Sequence, residues 1–291
     1  MIGGRFFLFM ILIFIVNRVF LQNDSAEQII NYREILLNPT YTDIFKNTSA
    51  QKILSKMTIF LKENCHGSVE KLQQEFPIVY FLEDPDKKWR FATFTMLYQD
   101  GTYKNFGLIQ KFNKKGCEIF SLEDNSENVK NPLHKSFGPS NWIGAIYYGV
   151  RKTSKKSWLL LGLDMHNQES RFKIAEPFSF NAKGFPNFGA PIIKHEGKTY
   201  YRLMLQYKAV AQVRLNWDES LKMIVYDNLT PINTSAKFTP SFYVPDGSYN
   251  GLKLKGKVWH IILDVDARNP KEKNTSSYKI PEKGLFPPEE K

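Results

Sequence analysis

The sequence is poor in the features that most readily disclose a reaction. Its 291 residues hold only two cysteines and five histidines. Two cysteines exclude a disulfide-dense scaffold and a cysteine-rich zinc domain. His66, His134, His166, His195 and His260 fall at neither H-x-x-x-H nor H-E-x-x-H spacing, so a zinc hydrolase has no support and no metal site is expected. No Gly-x-Ser-x-Gly elbow offers an activated serine, and no glycine-rich loop cradles a phosphate, so no cofactor is expected either. No fixed-period repeat is visible, which argues against a repeat array. A mean hydropathy of −0.38 excludes a polytopic membrane protein.

What is present describes a chain able to build a large core. Hydrophobic residues make up 42%, aromatics 14% and charged residues 24%, which rules out a disordered or low-complexity chain. Lys plus Arg is 40 against 29 for Asp plus Glu, a net charge of +11.

Residues 1–21 read as a signal peptide or signal anchor. Arg5 and the α-amine precede an unbroken apolar run from Phe6 to Val16. That run falls short of the roughly 20 apolar residues that cross a bilayer, but it suits the apolar core of an export signal. Cleavage before Gln22 would put Leu21 at the last position of the leader; Leu21 is not small, so an uncleaved anchor stays open. The expected location is the periplasm, outer envelope or exterior, with any membrane contact made only through an uncleaved N-terminal segment. In an oxidising compartment Cys65 and Cys117 are a candidate disulfide; the alternative is two unpaired, partly buried thiols.

Residues 22–75 are expected to form an N-terminal helical segment. Ile53, Leu54, Met57, Phe60 and Leu61 lie at spacings of three and four after Thr48-Ser49, one apolar stripe on a helix, with Asn64 and Gly67 as stop signals. From residue 76 the period becomes two. Trp89 to Tyr98 is rich in aromatic and β-branched residues, and Asp100-Gly101 signals a hairpin into Tyr103–Phe112. After a polar loop over 123–140, strands follow at Trp142–Arg151, Ser157–Leu163, Phe172–Phe180, within 198–217, at Leu221–Asp227, Tyr249–Leu254 and Val258–Val265. Within 198–217 the alternation is clearest, with Tyr201, Leu203, Leu205 and Tyr207 on one face and Arg202, Gln206 and Lys208 on the other. About a dozen strands at hairpin spacing predict a mainly β domain over 76–266, an antiparallel meander closed as a sandwich or open barrel, or in the alternative a propeller-like fold. Residues 267–291, with Pro270, Pro281, Pro287 and Pro288 among charges, read as an extended C-terminal tail.

Several separated segments carry a family resemblance. Asp84-Pro85-Asp86-Lys87-Lys88-Trp89-Arg90-Phe91 precedes Asp100-Gly101-Thr102-Tyr103-Lys104-Asn105-Phe106-Gly107. Trp158-Leu159-Leu160-Leu161-Gly162-Leu163-Asp164, Phe188-Gly189-Ala190-Pro191-Ile192, Ile224-Val225-Tyr226-Asp227-Asn228-Leu229 and Asp264-Val265-Asp266-Ala267-Arg268-Asn269-Pro270 follow. In this order they resemble a family of uncharacterised exported proteins from Bacteroidetes bacteria. Where that family has a Gly-Trp-Asp-Gly-Asn run, this chain departs at Leu163, Met165 and His166. The resemblance implies export in a Gram-negative cell and brings no catalytic residue with it. It also makes the sequons at Asn23, Asn47, Asn228, Asn233 and Asn274 ordinary surface residues; in a secreted eukaryotic protein they would accept glycans.

Two constellations bear on function. Asp264 and Asp266 lie two apart at a strand end, so both can face one way, and with Asp164, Asp227 and Asp246 converging on them they would hold a cation or share acid–base work. The bland reading is that these acids cap turns and pair with Arg268. The bland reading of Asp164 with His166 and Asn167 is a turn, since Asp and Asn bond their own backbone. Lysines cluster in pairs at turns, Lys87-Lys88, Lys114-Lys115 and Lys155-Lys156. Trp158 and Trp217, with Tyr147, Tyr148, Tyr200 and Trp259, are candidate aromatics for stacking on sugar rings beside them; the alternative for most of them is the core. The expected role is a non-catalytic binding or scaffold module for an anionic envelope glycan or protein, not for nucleic acid. The alternative is a secreted hydrolase of glycans or esters using carboxylates at strand ends.

Overall fold

The computed structural model describes residues 31–267. The leader, the C-terminal tail beyond 267 and the sequons at Asn23 and Asn274 lie outside the described residues. The described chain opens in helix over 31–37 (α1) and continues in α2, Asp43–Glu63, and α3, Val69–Glu75. Helix α2 starts a turn earlier than its apolar stripe suggests, because the Thr42 hydroxyl accepts the Phe45 N–H at 3.4 Å and caps the first turn. It stops at Asn64, whose N–H donates to the Phe60 carbonyl.

Fifteen strands follow among the described residues, in three sheets, antiparallel but for one pairing in the third, that do not close into a barrel and pack face to face like a sandwich. The first sheet is a plain meander of β1 (Tyr80–Glu83), β2 (Trp89–Leu97), β3 (Tyr103–Asn113) and β4 (Gly116–Glu123). The second has the order β11-β7-β6-β5, from β5 (Ile146–Ser154), β6 (Ser157–Asp164), β7 (Ser170–Phe180) and β11 (Leu203–Lys208), with β8 (Pro186–Phe188) paired to β7. The third has the order β10-β9-β15-β14-β13-β12. Its members are β9 (Ile193–His195), β10 (Lys198–Tyr200), β12 (Leu215–Asp218), β13 (Met223–Pro231), β14 (Tyr243–Lys255) and β15 (Val258–Ile262).

The layers stack as helices, first sheet, second sheet, third sheet. On β2, Ala92, Phe94 and Met96 meet Ile53, Met57 and Leu61 of α2, while Trp89 and Phe91 point the other way into the core shared with the second sheet. On β6, Trp158 and Leu160 enter that same core, and Leu159 and Leu161 face the third sheet. Strand side chains alternate between faces; when both faces are covered, alternation of polarity disappears. That is why β6 reads as a continuous apolar run.

The alternating stretch 198–217 divides between two sheets, β10 and β12 in the third and β11 in the second. Two expectations need correction. Arg202, assigned by alternation to a polar face, is fully buried, its Nε donating to Glu176 Oε1 at 2.7 Å. Trp142 precedes β5 and is not in it; its indole N–H donates to the buried Tyr147 hydroxyl at 3.0 Å. A parallel pairing of β9 with β15 joins residues 66 positions apart, Ile193 opposite Trp259, and no hairpin signal announces it (259 − 193 = 66).

Cys65 and Cys117 form a disulfide with Cα atoms 5.8 Å apart, tying the end of α2 to the start of β4. Closing a loop of that span stabilises the fold by about 4 kcal/mol on the chain-entropy account.

Candidate functional site

Two depressions gather the chemistry. The first is a cationic groove of about 620 Å³ bordered by Lys88, Lys111, Lys155 and Lys156, with Phe112, Trp158 and Phe180 against it. Four stretches of sequence build it: Lys88, Lys111 with Phe112, Lys155 to Trp158, and Phe180 to Ala182. The turn after β1 and the turn between β5 and β6 touch: Lys88 Nζ donates to the Lys155 carbonyl at 3.3 Å, and Asp86 accepts from both Lys88 and Lys152. Lys111 on β3 reaches across to the Gly184 carbonyl at 3.1 Å and lies 5.1 Å from the Phe180 ring centre. Asp86 offsets Lys88, and Glu118 offsets Lys111 at 3.3 Å; Lys155 and Lys156 have no acidic partner among the described residues.

Trp158 belongs to this groove, but not as a protruding platform. It is 2% exposed, edge-to-face with Trp89 at 5.3 Å, and its indole N–H donates to the buried Asp84 Oδ1 at 2.7 Å. It forms the floor, with the Lys88 ammonium 5.9 Å from the ring centre. Tyr147 and Trp259, read as stacking candidates, are core residues. Trp217 is half-buried on β12, away from the groove residues, with the Arg151 guanidinium 4.6 Å from its ring.

The second depression is a cavity of about 420 Å³ under the polar loop 123–140, with Asp164 at its base. Its walls include Val129, Leu133, Ile143, Phe172 and Met204, and His166 and Glu127 complete the polar part. Asp164 closes β6 and accepts the His166 N–H at 2.9 Å and the Asn105 side-chain amide at 3.1 Å, both on Oδ1. His166 has a left-handed backbone, φ 52. The turn reading of Asp164 therefore holds, and the same geometry aims the carboxylate inward.

Asp164 Oδ2 accepts no hydrogen bond among the described residues, and Asn105 Oδ1 beside it is buried without a partner. Burial pushes the Asp164 carboxyl up to about 7, the Asp124 charge adds to the rise, and the two hydrogen bonds oppose it. Burial also holds the His166 imidazole below its usual value, against the pull of Asp124 and Glu127. Asp124 is fixed by bonds from the Asn105 N–H at 2.8 Å and the Ser126 hydroxyl at 2.8 Å. Gly144 makes room for it: at φ 69, a Cβ there would lie 2.4 Å from Asp124 Oδ2.

The other acids do not join Asp164; none of Asp227, Asp246, Asp264 and Asp266 lines its cavity. Asp227 and Asp246 lie at the bulge between β13 and β14, where they fix the chain, and Asp264 is tied to β14 through its backbone N–H. Asp227 accepts the Arg214 N–H, Asp246 accepts from Ser248 and from the Asn228 amide at 2.7 Å, and Asn250 receives the Asp264 N–H at 3.2 Å. Asp264 and Asp266 were expected to share one face of a strand end. Strand β15 stops at Ile262, and Asp264 turns the chain with φ 53, so strand alternation does not apply to them. No cluster of three or more His, Cys, Asp or Glu suited to a metal ion occurs among the described residues. No helix among them is long and apolar enough to cross a membrane.

Sequence reasoning missed Asp124, Asn105 and Glu127. The signal available was Asp124-Asn125-Ser126, an acid followed by turn residues at the end of β4. Nothing local says that this turn meets the end of β6. No known protein family, curated protein or solved structure matches the chain.

Proposed function

We propose that this chain is an exported cell-envelope protein that works by binding, holding an anionic glycan in the groove formed by Lys88, Lys111, Lys155 and Lys156. One observation carries the reading: lysines from three separated stretches of sequence border a single groove with three aromatic rings against it. Two of them, Lys155 and Lys156, lack an acidic partner among the described residues. Ammonium groups answer sulfate, phosphate or uronate groups, and aromatic carbon covers sugar C–H faces. The net charge of +11 favours encounter with an anionic envelope polymer. The disulfide and the apolar leader are compatible with a location outside the cytoplasm.

The test is titration of the purified chain with acidic oligosaccharides, sulfated and uronate, beside a neutral oligosaccharide of equal length. Acidic sugars bind, salt weakens them, and the Lys155→Glu, Lys156→Glu double variant loses about fivefold in affinity, two exposed charges being worth about 1 kcal/mol together. Equal binding of neutral and acidic sugars, or unchanged affinity in the double variant, refutes the groove as the site. Fractionation of the native cell with N-terminal sequencing tests export: recovery from the cytoplasm with the leader attached refutes it.

A further inference from the structure

The cavity under loop 123–140 has the opposite character from the groove and shares no residue with it. In a protein of net charge +11 its surroundings are acidic. Glu127 stands at its mouth, and a second hollow of about 300 Å³, sharing Thr102, Tyr103, Ser126 and Glu127 with it, adds Asp100 and Asp124. With Asp164 that makes four carboxyl groups against one cation, Lys104, among the residues lining the two hollows (4 − 1 = 3 in excess). At the base, Asp164 is 6% exposed, and its Oδ2 accepts no hydrogen bond among the described residues. A carboxylate oxygen in an enclosed site without a protein donor is held at a cost, and a ligand that brings a donor lowers it. The remaining wall is apolar, with Leu133, Ile143, Phe172 and Met204.

We propose that this cavity binds a small organic cation, an ammonium group on an apolar body, with the ammonium donating to Asp164 and the body lying against Phe172 and Met204. The site is independent of the glycan groove, and failure of one leaves the other standing. An ammonium supplies the missing donor and meets the excess of acid. His166, neutral at pH 7 and above, does not oppose it. A carboxylate ligand would face Asp124 and Glu127, and an alcohol would leave their charge unanswered.

Three probes with one body decide the matter: phenethylammonium, 2-phenylethanol and 3-phenylpropanoate, titrated into the full chain and read by calorimetry or amide chemical shifts. At pH 8 the ammonium binds at least tenfold more tightly than the alcohol, and the carboxylate does not bind. Lowering the pH to 5.5 weakens the ammonium more than tenfold, since Asp164 must ionise to receive it. The groups facing Asp164 are Asp124 and Glu127 from the loop, His166 from its own turn, Tyr103 from β3 and Lys104 in the adjoining hollow. Of these only His166 ordinarily titrates in the same range, so His166→Asn keeps the pH dependence. Asp164→Asn abolishes the preference for ammonium over alcohol while alcohol binding persists. If that variant fails to fold, Glu127→Gln at the exposed mouth weakens the ammonium twofold to threefold and leaves the alcohol unchanged. Equal or tighter binding of the alcohol or the carboxylate overturns the proposal. So does an ammonium preference retained in Asp164→Asn, or the absence of binding by all three probes at millimolar concentration.

Discussion

The groove and the cavity put charge to work under opposite conditions. In the groove Lys88, Lys155 and Lys156 sit in solvent on turns and Lys111 is partly exposed on β3; their counter-acids Asp86 and Glu118 are 40% and 52% exposed, and each charge is held at little cost. In the cavity one carboxyl is enclosed by apolar walls and feels the charge of a second acid, Asp124, in the adjoining hollow. An exposed charge acts by number and range; a buried one acts by being left unsatisfied until a partner arrives. The groove therefore suits a long polyanion that touches many weak points. The cavity suits a small ligand held at one strong point.

The sharpest way to break this comparison is to titrate stability. The folded value of Asp164, about 7, lies above the ordinary carboxylate value of 3.8, so the folded state binds the proton more tightly than the unfolded chain. Its effect on stability is absent below about pH 4 and grows into a penalty as pH rises toward 7, reaching on the order of 4 kcal/mol. Urea unfolding midpoints measured from pH 4 to pH 8 should fall for the native chain. Asp164→Asn should flatten that fall, leaving the variant the more stable of the two at pH 8. A midpoint that rises through this range in the native chain, or falls equally in both, would show that Asp164 is not held in an unfavourable site.

The groove floor comes next. Trp158→Ala removes a ring packed on Trp89 and Phe178 and leaves Asp84 Oδ1 without its donor, costing about 3–5 kcal/mol by thermal melting. Trp158→Phe keeps an aromatic ring and loses only the indole N–H, costing about 1–3 kcal/mol. Both should weaken acidic-sugar binding and leave phenethylammonium binding unchanged in the folded protein. The smallest effect belongs to the third cluster of acids. Asp246→Asn at the β13–β14 bulge should shift stability by less than about 1 kcal/mol and alter neither ligand. A loss of either binding activity there would mean that the bulge acids are more than turn-builders.

Much of the architecture is legible residue by residue. The hairpin at Asp100-Gly101 forms with Gly101 at φ 85, and its register follows into β2 and β3, from Leu97 opposite Tyr103 to Trp89 opposite Lys111. The stripe of Ile53, Leu54, Met57 and Leu61 is buried against the first sheet. These features are readable because their partners lie a few residues away. The lost features are those whose partners are distant. Arg202 looks solvent-facing by alternation and is buried because Glu176, the Lys135 carbonyl and the Phe188 carbonyl surround its guanidinium. Gly189, at φ 82, makes that possible; a Cβ there would lie 2.4 Å from Arg202 Nη2.

The site divides in the same way. The lysine pairs and the Asp164 turn are visible as short strings. That Lys88 and Lys155 meet, or that Asp124 and Asp164 line adjoining hollows, is not. By itself the chain determined its helices, its hairpins and the pairing of neighbouring strands, because capping, turn conformation and strand alternation are short-range and act before anything distant is in place. Only the stacking of three sheets decided which acids lost their water, which lysines came to border one groove, and which strands were covered on both faces. Desolvation and electrostatic potential sum over every surface nearby, whatever its place in the sequence.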